Sequence, residues 1–266
     1  VKDNMKKLES IDVINPASGY LACGDTGEGK MPEPEVLLSY ILRELAHEKD
    51  MKGLKVCVTA GPTRETIDPV RFISNRSTGK MGFALAKNAM ERGADVTLVS
   101  GPVELKDVPF VKMVHVESAR QMFEAVTKEA ETADIIVKAA AVADYRPAVV
   151  ADEKIKKKDG DMSIALERTD DIIGTLGKTK RDNLFLCGFS METEHMLENS
   201  KAKLEKKNLD MIIANNVKVK GAGFGTDTNV VTLITKDEIK ELPIMSKEDV
   251  ADEIFNNILA NRKGIV

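Results

Sequence analysis

The stretch ISNRSTGKMG, Ile73 to Gly82, gathers a carboxamide (Asn75), two hydroxyls (Ser77, Thr78), two glycines (Gly79, Gly82) and a lysine (Lys80) directly ahead of an apolar helical pattern. A helix starting near Gly79 offers free backbone N–H groups and a positive dipole end to an anion. Ser77, Thr78 and Lys80 add donors at the same place, and one of the two hydroxyls is also expected to cap the helix. An oxygen-rich anion is the expected guest. Nucleotide redox cofactors, phosphate esters and acyl phosphates all qualify.

Other polar loops widen the choice. In AAAVADYRPAVVADEKIKKKDGD the small residues Ala139 to Ala143 would let a backbone approach a flat ligand closely, and Asp144 follows as a single carboxylate. Lys154, Lys156, Lys157 and Lys158 come next; KIK places Lys154 and Lys156 on one side of an extended segment, where a pair could hold a polyphosphate as point charges. Lys157 and Lys158 read as a solvated face. GFSMETE carries Phe189, suited equally to stacking on a base and to a core position. Lys203 and Lys207 share one helix face at i,i+4 spacing, which fits a ligand or open water. GAGFGTDTN reads as a glycine-rich loop. His47, His115 and His195 are isolated, so no metal-ligand cluster and no Ser/His/Asp set is readable. A site of amides, glycines and lysines suits phosphoryl or nucleotidyl transfer, where catalysis is mostly positioning and charge stabilisation.

These loops need a platform. LKVCVTAG, DVTLVSG, VKMVHV, ADIIVKAAA, NLFLCGFS and LDMIIAN are short β-branched runs bounded by turn residues. They alternate with the helical patterns GFALAKNAMERG, ARQMFEAVTKEAET, DIIGTLGKTKRD and EHMLENSKAKLEKKN. The fold class is therefore α/β: a Rossmann-like, mainly parallel sheet with helices on both faces. NVVTLITKDEIKELPIM adds two strands joined around Lys236-Asp237, an antiparallel C-terminal edge. SKEDVADEIFNNILANR closes the chain as a helix with Ser246 as N-cap. Asn15 to Glu35 reads as a loop, followed by a helix over Glu35 to Glu48. In open parallel sheets ligands bind beyond the carboxyl ends of the strands, where the polar loops fall.

The chain has 266 residues, 42% hydrophobic and 31% charged, with a net charge of -4. That is ordinary globular composition with no global attraction to nucleic acid or membrane. Cys23, Cys57 and Cys187 form no disulfide framework; Cys57 and Cys187 read as buried free thiols, and the odd count suits a reducing compartment. With no signal peptide and no apolar run near about 18 residues, a cytoplasmic protein is expected. Val1 in place of methionine suggests a processed chain or a piece of a longer one.

GPTRETIDPVRFISNRSTGKMG, AAAVADYRP, KIKK, GFSMETE, KNLDMIIANN and GFGTDTN, in that order, resemble the bacterial phosphopantothenoylcysteine synthetase family of coenzyme A biosynthesis. The resemblance covers about Leu54 to Arg262. NPASGYLACGDTGEGKM resembles the end of the phosphopantothenoylcysteine decarboxylase, a flavin enzyme fused ahead of the synthetase in many bacteria. Residues 1–50 are thus expected to be the remnant tail of a flavodoxin-like decarboxylase domain with a linker helix, and residues 51–266 the synthetase domain.

The resemblance implies that 4′-phosphopantothenate is activated by CTP to an acyl-cytidylate, which L-cysteine then attacks. It implies Mg²⁺ bridged through the triphosphate rather than held by the protein alone. FMN belongs only to the decarboxylase half, whose flavin-binding part is not in this sequence, although Cys23 matches that enzyme's catalytic cysteine. Asn75 would handle the acyl-cytidylate and Lys154 the triphosphate and leaving pyrophosphate. Ala140, Ala141, Asp144, Thr169, Asp170, Phe189, Lys203 and Lys207 would form the nucleotide site. Gly61, Ser77, Thr78, Gly79 and Lys80 would bind substrate and phosphate. A homodimer is implied, and a higher oligomer when the two halves are fused. Two departures stand out: Asp170 replaces a usual proline, and Lys138 an apolar or small residue.

Two other readings compete. A nicotinamide-dependent Rossmann oxidoreductase would need a GxGxxG turn and an acidic residue closing the second strand, and Val99-Ser100-Gly101-Pro102 supplies neither. A non-catalytic binding or assembly module is the other.

Overall fold

The alternating apolar runs form one eight-stranded sheet. In the computed structural model the described residues are 4, 7, 8, 11, 13–21, 23–157, 161–191, 196–215, 223 and 225–262. Lys158, the Glu192–His195 end of the GFSMETE region, Asn216 and most of GAGF lie outside the described residues. The strands are Lys55–Ala60 (β1), Asp95–Ser100 (β2), Lys112–His115 (β3), Ile135–Lys138 (β4), Phe185–Met191 (β5), Met211–Asn215 (β6), Val231–Ile234 (β7) and Ile239–Glu241 (β8). Their order in the sheet is β8-β7-β6-β5-β4-β1-β2-β3. Neighbours among β1 to β6 run parallel, while β7 and β8 add the expected antiparallel edge. The order reverses between β1 and β4, so the loops leaving those strands diverge and open a crevice between them.

The helices are Pro34–Leu45 (α1), Lys80–Glu91 (α2), Ala119–Ala130 (α3), Ile172–Lys178 (α4), Met196–Lys206 (α5) and Lys247–Asn261 (α6). Side chains alternate across each strand, so successive residues join different cores. Val58, Val137 and Ile213 pack under α2 and α6 with Leu85, Ile254 and Phe255. Cys57, Ile136 and Ile212 pack under α3, α4 and α5 with Met122, Leu176 and Leu204. Burial of each large aliphatic side chain contributes roughly 1.5–3 kcal/mol, and both faces are covered. Cys57 and Cys187 are buried and free, as expected, and burial pushes the Cys57 thiol up to about 12. Ser246 caps α6 by accepting from the Asp249 N–H at 3.0 Å.

The first 50 residues depart from expectation. The predicted loop contains a hairpin, Ala17–Tyr20 paired antiparallel with Thr26–Lys30. Helix α1 stops at Leu45 rather than Glu48, because Lys49 Nζ donates to the carbonyls of Arg43 (2.5 Å) and His47 (3.1 Å) and so satisfies the helix end. The same ammonium reaches the Glu91 carbonyl at 2.6 Å, pinning this segment to α2. Tyr40 meets Phe110 edge-on at 4.6 Å between ring centroids, with the Arg43 guanidinium over both rings. Helix α1 nonetheless buries no residue fully, whereas Met51, six residues beyond it, is completely enclosed.

Candidate active site at the strand ends

The loops leaving β1 and β4 touch before they diverge. Pro62 and Ala141 form a parallel bridge, and the Ala141 N–H donates to the Gly61 carbonyl at 2.9 Å. Two buried threonines shape the alanine loop: Thr59 Oγ1 accepts from Ala140 N–H and Thr63 Oγ1 from Ala143 N–H, each at 3.0 Å. Above this junction lies a cavity of about 370 Å³. Asn75, Ser77, Thr78, Gly79 and Lys80 line it on one side; Ala140, Ala141, Asp144 and Phe189 line it on the other. Gly61 sits beneath, as part of the junction.

Helix α2 aims its N-terminus at this cavity, but not with the expected cap. The N-cap is Gly79, at φ +79°, and no side chain caps the helix. Ser77 Oγ only accepts from the Gly79 N–H at 3.3 Å, because the left-handed turn at Gly79 carries the hydroxyl away from the second and third helical N–H groups. The first helical bond is Phe83 N–H to Gly79 carbonyl at 3.1 Å. Among the described residues, the N–H groups of Lys80, Met81 and Gly82 therefore have no acceptor, and all three residues line the cavity. Gly82 lets the helix lie on β1: a Cβ there would sit 2.5 Å from the Ala60 Cβ and 2.8 Å from the Thr59 carbonyl oxygen. Lys80 is not idle either. Its Nζ donates to Asp227 Oδ1 at 2.6 Å and to the Gly225 carbonyl at 3.3 Å, and this pair holds the Asp227 carboxyl below its usual range.

The opposite rim is closed by its own residues. Asn75 Nδ2 donates to the Ala141 carbonyl at 2.9 Å, which ties the ISNRST loop to the alanine loop. Thr169 does not line the cavity; its Oγ1 donates to the Ala143 carbonyl at 2.5 Å and its N–H to the Asp144 carbonyl at 3.0 Å. Asp170 is exposed and away from the lining, so it plays no part in the cavity wall. Its neighbour Asp171 caps α4 by accepting from the Gly174 N–H at 3.1 Å and pairs with Lys207 at 3.1 Å. Burial pushes the Asp171 carboxyl up, but these two partners outweigh it and hold it low. Lys203 and Lys207 lie outside the lining but close enough to act on Lys138, which does line the cavity.

Lys154 stands apart. It is exposed on a loop that does not reach the cavity wall. Asp68 and Arg71 anchor that loop: Asp68 Oδ2 accepts from the Ile155 N–H at 3.1 Å, and Arg71 donates to the Ile155 carbonyl at 2.9 Å. Ile155 turns inward between the exposed Lys154 and Lys156, as the alternation requires.

Three cavity residues escape a sequence reading. Asn215, at the end of β6, has a buried side-chain oxygen with no partner among the described residues. Asn229 is buried beside the cavity, its Oδ1 accepting from the Val230 N–H at 3.1 Å. Lys247, at 6% exposure, donates to the carbonyls of Gly223 (3.3 Å), Thr228 (3.2 Å) and Thr226, clamping the glycine-rich loop. Burial first, then the Lys80 charge, lowers its pKa. The only sequence signal for these residues is position at a strand end or helix start.

A wider hollow of about 840 Å³ lies at the ends of β2 and β3, among Arg64, Ser100, His115 and Glu117. Strand β2 ends in Ser100, whose Oγ donates to the Gly101 carbonyl at 2.8 Å, with no carboxylate at its tip. The oxidoreductase reading thus lacks the acid it requires at the end of β2.

The family model of the DNA/pantothenate metabolism flavoprotein C-terminal domain matches residues 51–261. The chain is 50% identical over 270 residues to the coenzyme A biosynthesis bifunctional protein CoaBC of Bacillus subtilis, covering 99% of this chain and 66% of that protein. The protein of the same name from Haemophilus influenzae is 44% identical over 260 residues, covering 97% of this chain and 65% of that one. The chain thus spans about two thirds of the length of these relatives. A crystal structure of the C-terminal domain of a coenzyme A biosynthesis bifunctional protein CoaBC is 44% identical, with a TM-score of 0.67, covering 78% of this chain and 95% of that one.

Proposed function

The chain belongs to the DNA/pantothenate metabolism flavoprotein C-terminal domain family, and on that premise we propose that it is a CTP-dependent phosphopantothenate–cysteine ligase of coenzyme A biosynthesis. A carboxylate oxygen of 4′-phosphopantothenate attacks the α-phosphorus of CTP, the bond to the β-phosphate oxygen breaks, and pyrophosphate leaves. The amine of L-cysteine then attacks the acyl carbonyl, the bond to CMP breaks, and the nitrogen loses its proton as the amide forms. One observation carries this reading. An open helix N-terminus, Asn75 and the alanine loop meet in one crevice, in a chain 50% identical to a coenzyme A biosynthesis protein.

The open N–H groups of Lys80 to Gly82 suit a phosphate. Asn75 spends one amide hydrogen on Ala141 and keeps a second to meet charge developing on the acyl carbonyl. Ala140, Ala141, Asp144 and Phe189 suit the cytidine, with Thr169 holding the alanine loop in shape. Lys154, Lys203 and Lys207 would reach the triphosphate from outside the wall. Among the described residues no group of three His, Cys, Asp or Glu could hold a metal. With Lys80, Lys138 and Lys247 in the lining, the donors fit a polyphosphate that carries its own Mg²⁺. Bound there, the ion would offset phosphate charge.

We place the enzyme in the cytoplasm as a homodimer; among the described residues no helix is long and apolar enough to cross a membrane. The test is pyrophosphate release with 4′-phosphopantothenate, Mg²⁺ and cysteine, comparing CTP with ATP. Release with CTP that depends on the pantothenate ester is the expected result. Release with ATP alone would overturn the nucleotide assignment. No release with either from folded protein would favour the binding-module reading.

A further inference from the structure

Two left-handed glycines at the crevice share one apolar neighbour. Gly61 (φ +74°), in the loop after β1, and Gly79 (φ +79°), the N-cap of α2, lie backbone to backbone: a Cβ on Gly79 would sit 3.5 Å from the Gly61 Cα. A Cβ on either glycine would also lie 2.9 Å from Val103 Cγ1. Val103 belongs to the loop after β2, is partly buried against the core, and does not line the crevice. Its own loop is locked in turn. The Gly101 N–H donates to the Ala60 carbonyl at 2.9 Å, and a Cβ on Gly101 would come within 1.8 Å of the Pro62 carbonyl oxygen. Among the described residues no hydrogen bond joins Gly61 to Gly79.

Glycine takes left- and right-handed conformations with similar ease, so a turn built on it keeps its shape only where its surroundings hold it. Gly79 has few other restraints: its N–H donates to Ser77 Oγ at 3.3 Å, and no side chain caps the helix. Valine is stiff at χ1 because two carbons branch from its Cβ, so Val103 presents a fixed methyl to both turns. A shift of Gly79 would re-aim the N–H groups of Lys80, Met81 and Gly82, which follow it directly.

We propose that Val103 is a positioning residue: packed behind Gly61 and Gly79, it fixes the direction of the open α2 N-terminus and so sets the affinity of this chain for a phosphate-bearing substrate. This role deepens the ligase reading and rests on it. The phosphate belongs to CTP or to 4′-phosphopantothenate, which offer the same oxygens to backbone N–H groups.

The test is calorimetric titration of wild type, Val103→Ala and Val103→Ile with CTP, 4′-phosphopantothenate and cytidine, alongside thermal melts of the ligand-free proteins. Alanine withdraws both methyls from the glycines. It should weaken at least one of the two phosphorylated ligands about tenfold through lost preorganisation and leave cytidine, which carries no phosphate, unchanged. A loss for CTP assigns the open N-terminus to the triphosphate, and a loss for 4′-phosphopantothenate assigns it to that ester; either supports the proposal. Val103→Ile keeps the branch at Cβ and should bind like wild type, since Val103 also lines the wider hollow at the ends of β2 and β3, where an added methyl has room. If Val103→Ala fails to fold, Val103→Leu, which keeps the apolar bulk but moves the branch one carbon outward, should show the same selective loss. Wild-type affinities in the folded alanine or leucine variant would overturn the inference and leave the ligase reading intact. So would equal losses for cytidine and the phosphorylated ligands, or an isoleucine variant as weak as alanine. Wild type that binds neither CTP nor 4′-phosphopantothenate would overturn both.

Discussion

Two helices begin near the crevice and treat their N-termini oppositely. Helix α4 is sealed: Asp171 accepts from the Gly174 N–H, and Lys207 neutralises the cap. Helix α2 is open: Gly79 offers no side chain, and three N–H groups at the cavity have no acceptor among the described residues. A sealed terminus gives its dipole to the fold, whereas an open one keeps it for an incoming anion. The sequence TDDIIG spends a carboxylate to fix a short helix. The sequence STGKMG withholds one, although two hydroxyls stand within two residues of Gly79.

The largest expected effect comes from forcing the open end of α2 away from β1. Gly82→Val drives a side chain into Ala60 and the Thr59 carbonyl, and overpacking of this kind costs about 3 kcal/mol. A urea midpoint close to wild type would show that α2 need not lie on β1. Next is Asn75→Ala. Removal of a donor at a developing oxyanion lowers turnover about 10²-fold, with CTP affinity kept and acyl-cytidylate still detectable. Loss of CTP binding together with turnover would move Asn75 from the chemistry to the binding of nucleotide.

Asp68→Asn comes third. It loosens the anchor of the Lys154 loop and should slow turnover about tenfold through mispositioning. Its pH signature is distinct. The Arg71 guanidinium, with three backbone N–H groups, holds the Asp68 carboxyl far below the usual range despite burial. Such a group adds stability that is present above the ordinary carboxylate pKa near 4 and lost as pH falls toward its folded value. Wild type should therefore lose stability below about pH 4, and the variant should lose less over that window, as urea midpoints at neutral and acid pH would show. The smallest effects compare the two termini directly. Asp171→Ala should cost about 1 kcal/mol as a lost N-cap, while Ser77→Ala should stay within about 0.5 kcal/mol, having no cap to lose. Equal costs would erase the distinction between the termini.

The centre of the sheet is legible in the sequence because β1, β2, β4, β5 and β6 are largely apolar runs, as a doubly covered parallel sheet requires, whereas the edge strands β3 and β8 are at least half polar, with no fully buried residue. The polar loops follow from it, since they must fall at the strand ends. Other features depend on contacts that no local pattern encodes. The hairpin at Ala17–Lys30 pairs the Gly-containing segments ASGY and TGEGK, whose β-branched content is a single threonine. Ser77 reads as a cap until the positive φ of Gly79 removes it. Lys247 looks like a surface lysine; only the packing of α6 against the loop that carries Gly223, Thr226 and Thr228 encloses it. Lys154 looks like part of the site because KIK sits near the alanine loop in sequence, but Asp68 and Arg71 hold its loop outside the wall.

The Lys80–Asp227 pair leaves the ammonium at the crevice mouth with a tethered partner of its own. An anion that approaches Lys80 meets a carboxylate already paired with it and held nearby at an effective concentration on the order of millimolar. Chloride or a simple carboxylate offers the ammonium little that Asp227 does not already give. A phosphate offers more oxygens, enough to fill the bare N–H groups of Lys80, Met81 and Gly82 in the same event. A guest rich in oxygens would therefore compete best with the protein's own side chain at Lys80, and Asp227 would stand ready to re-pair once it left.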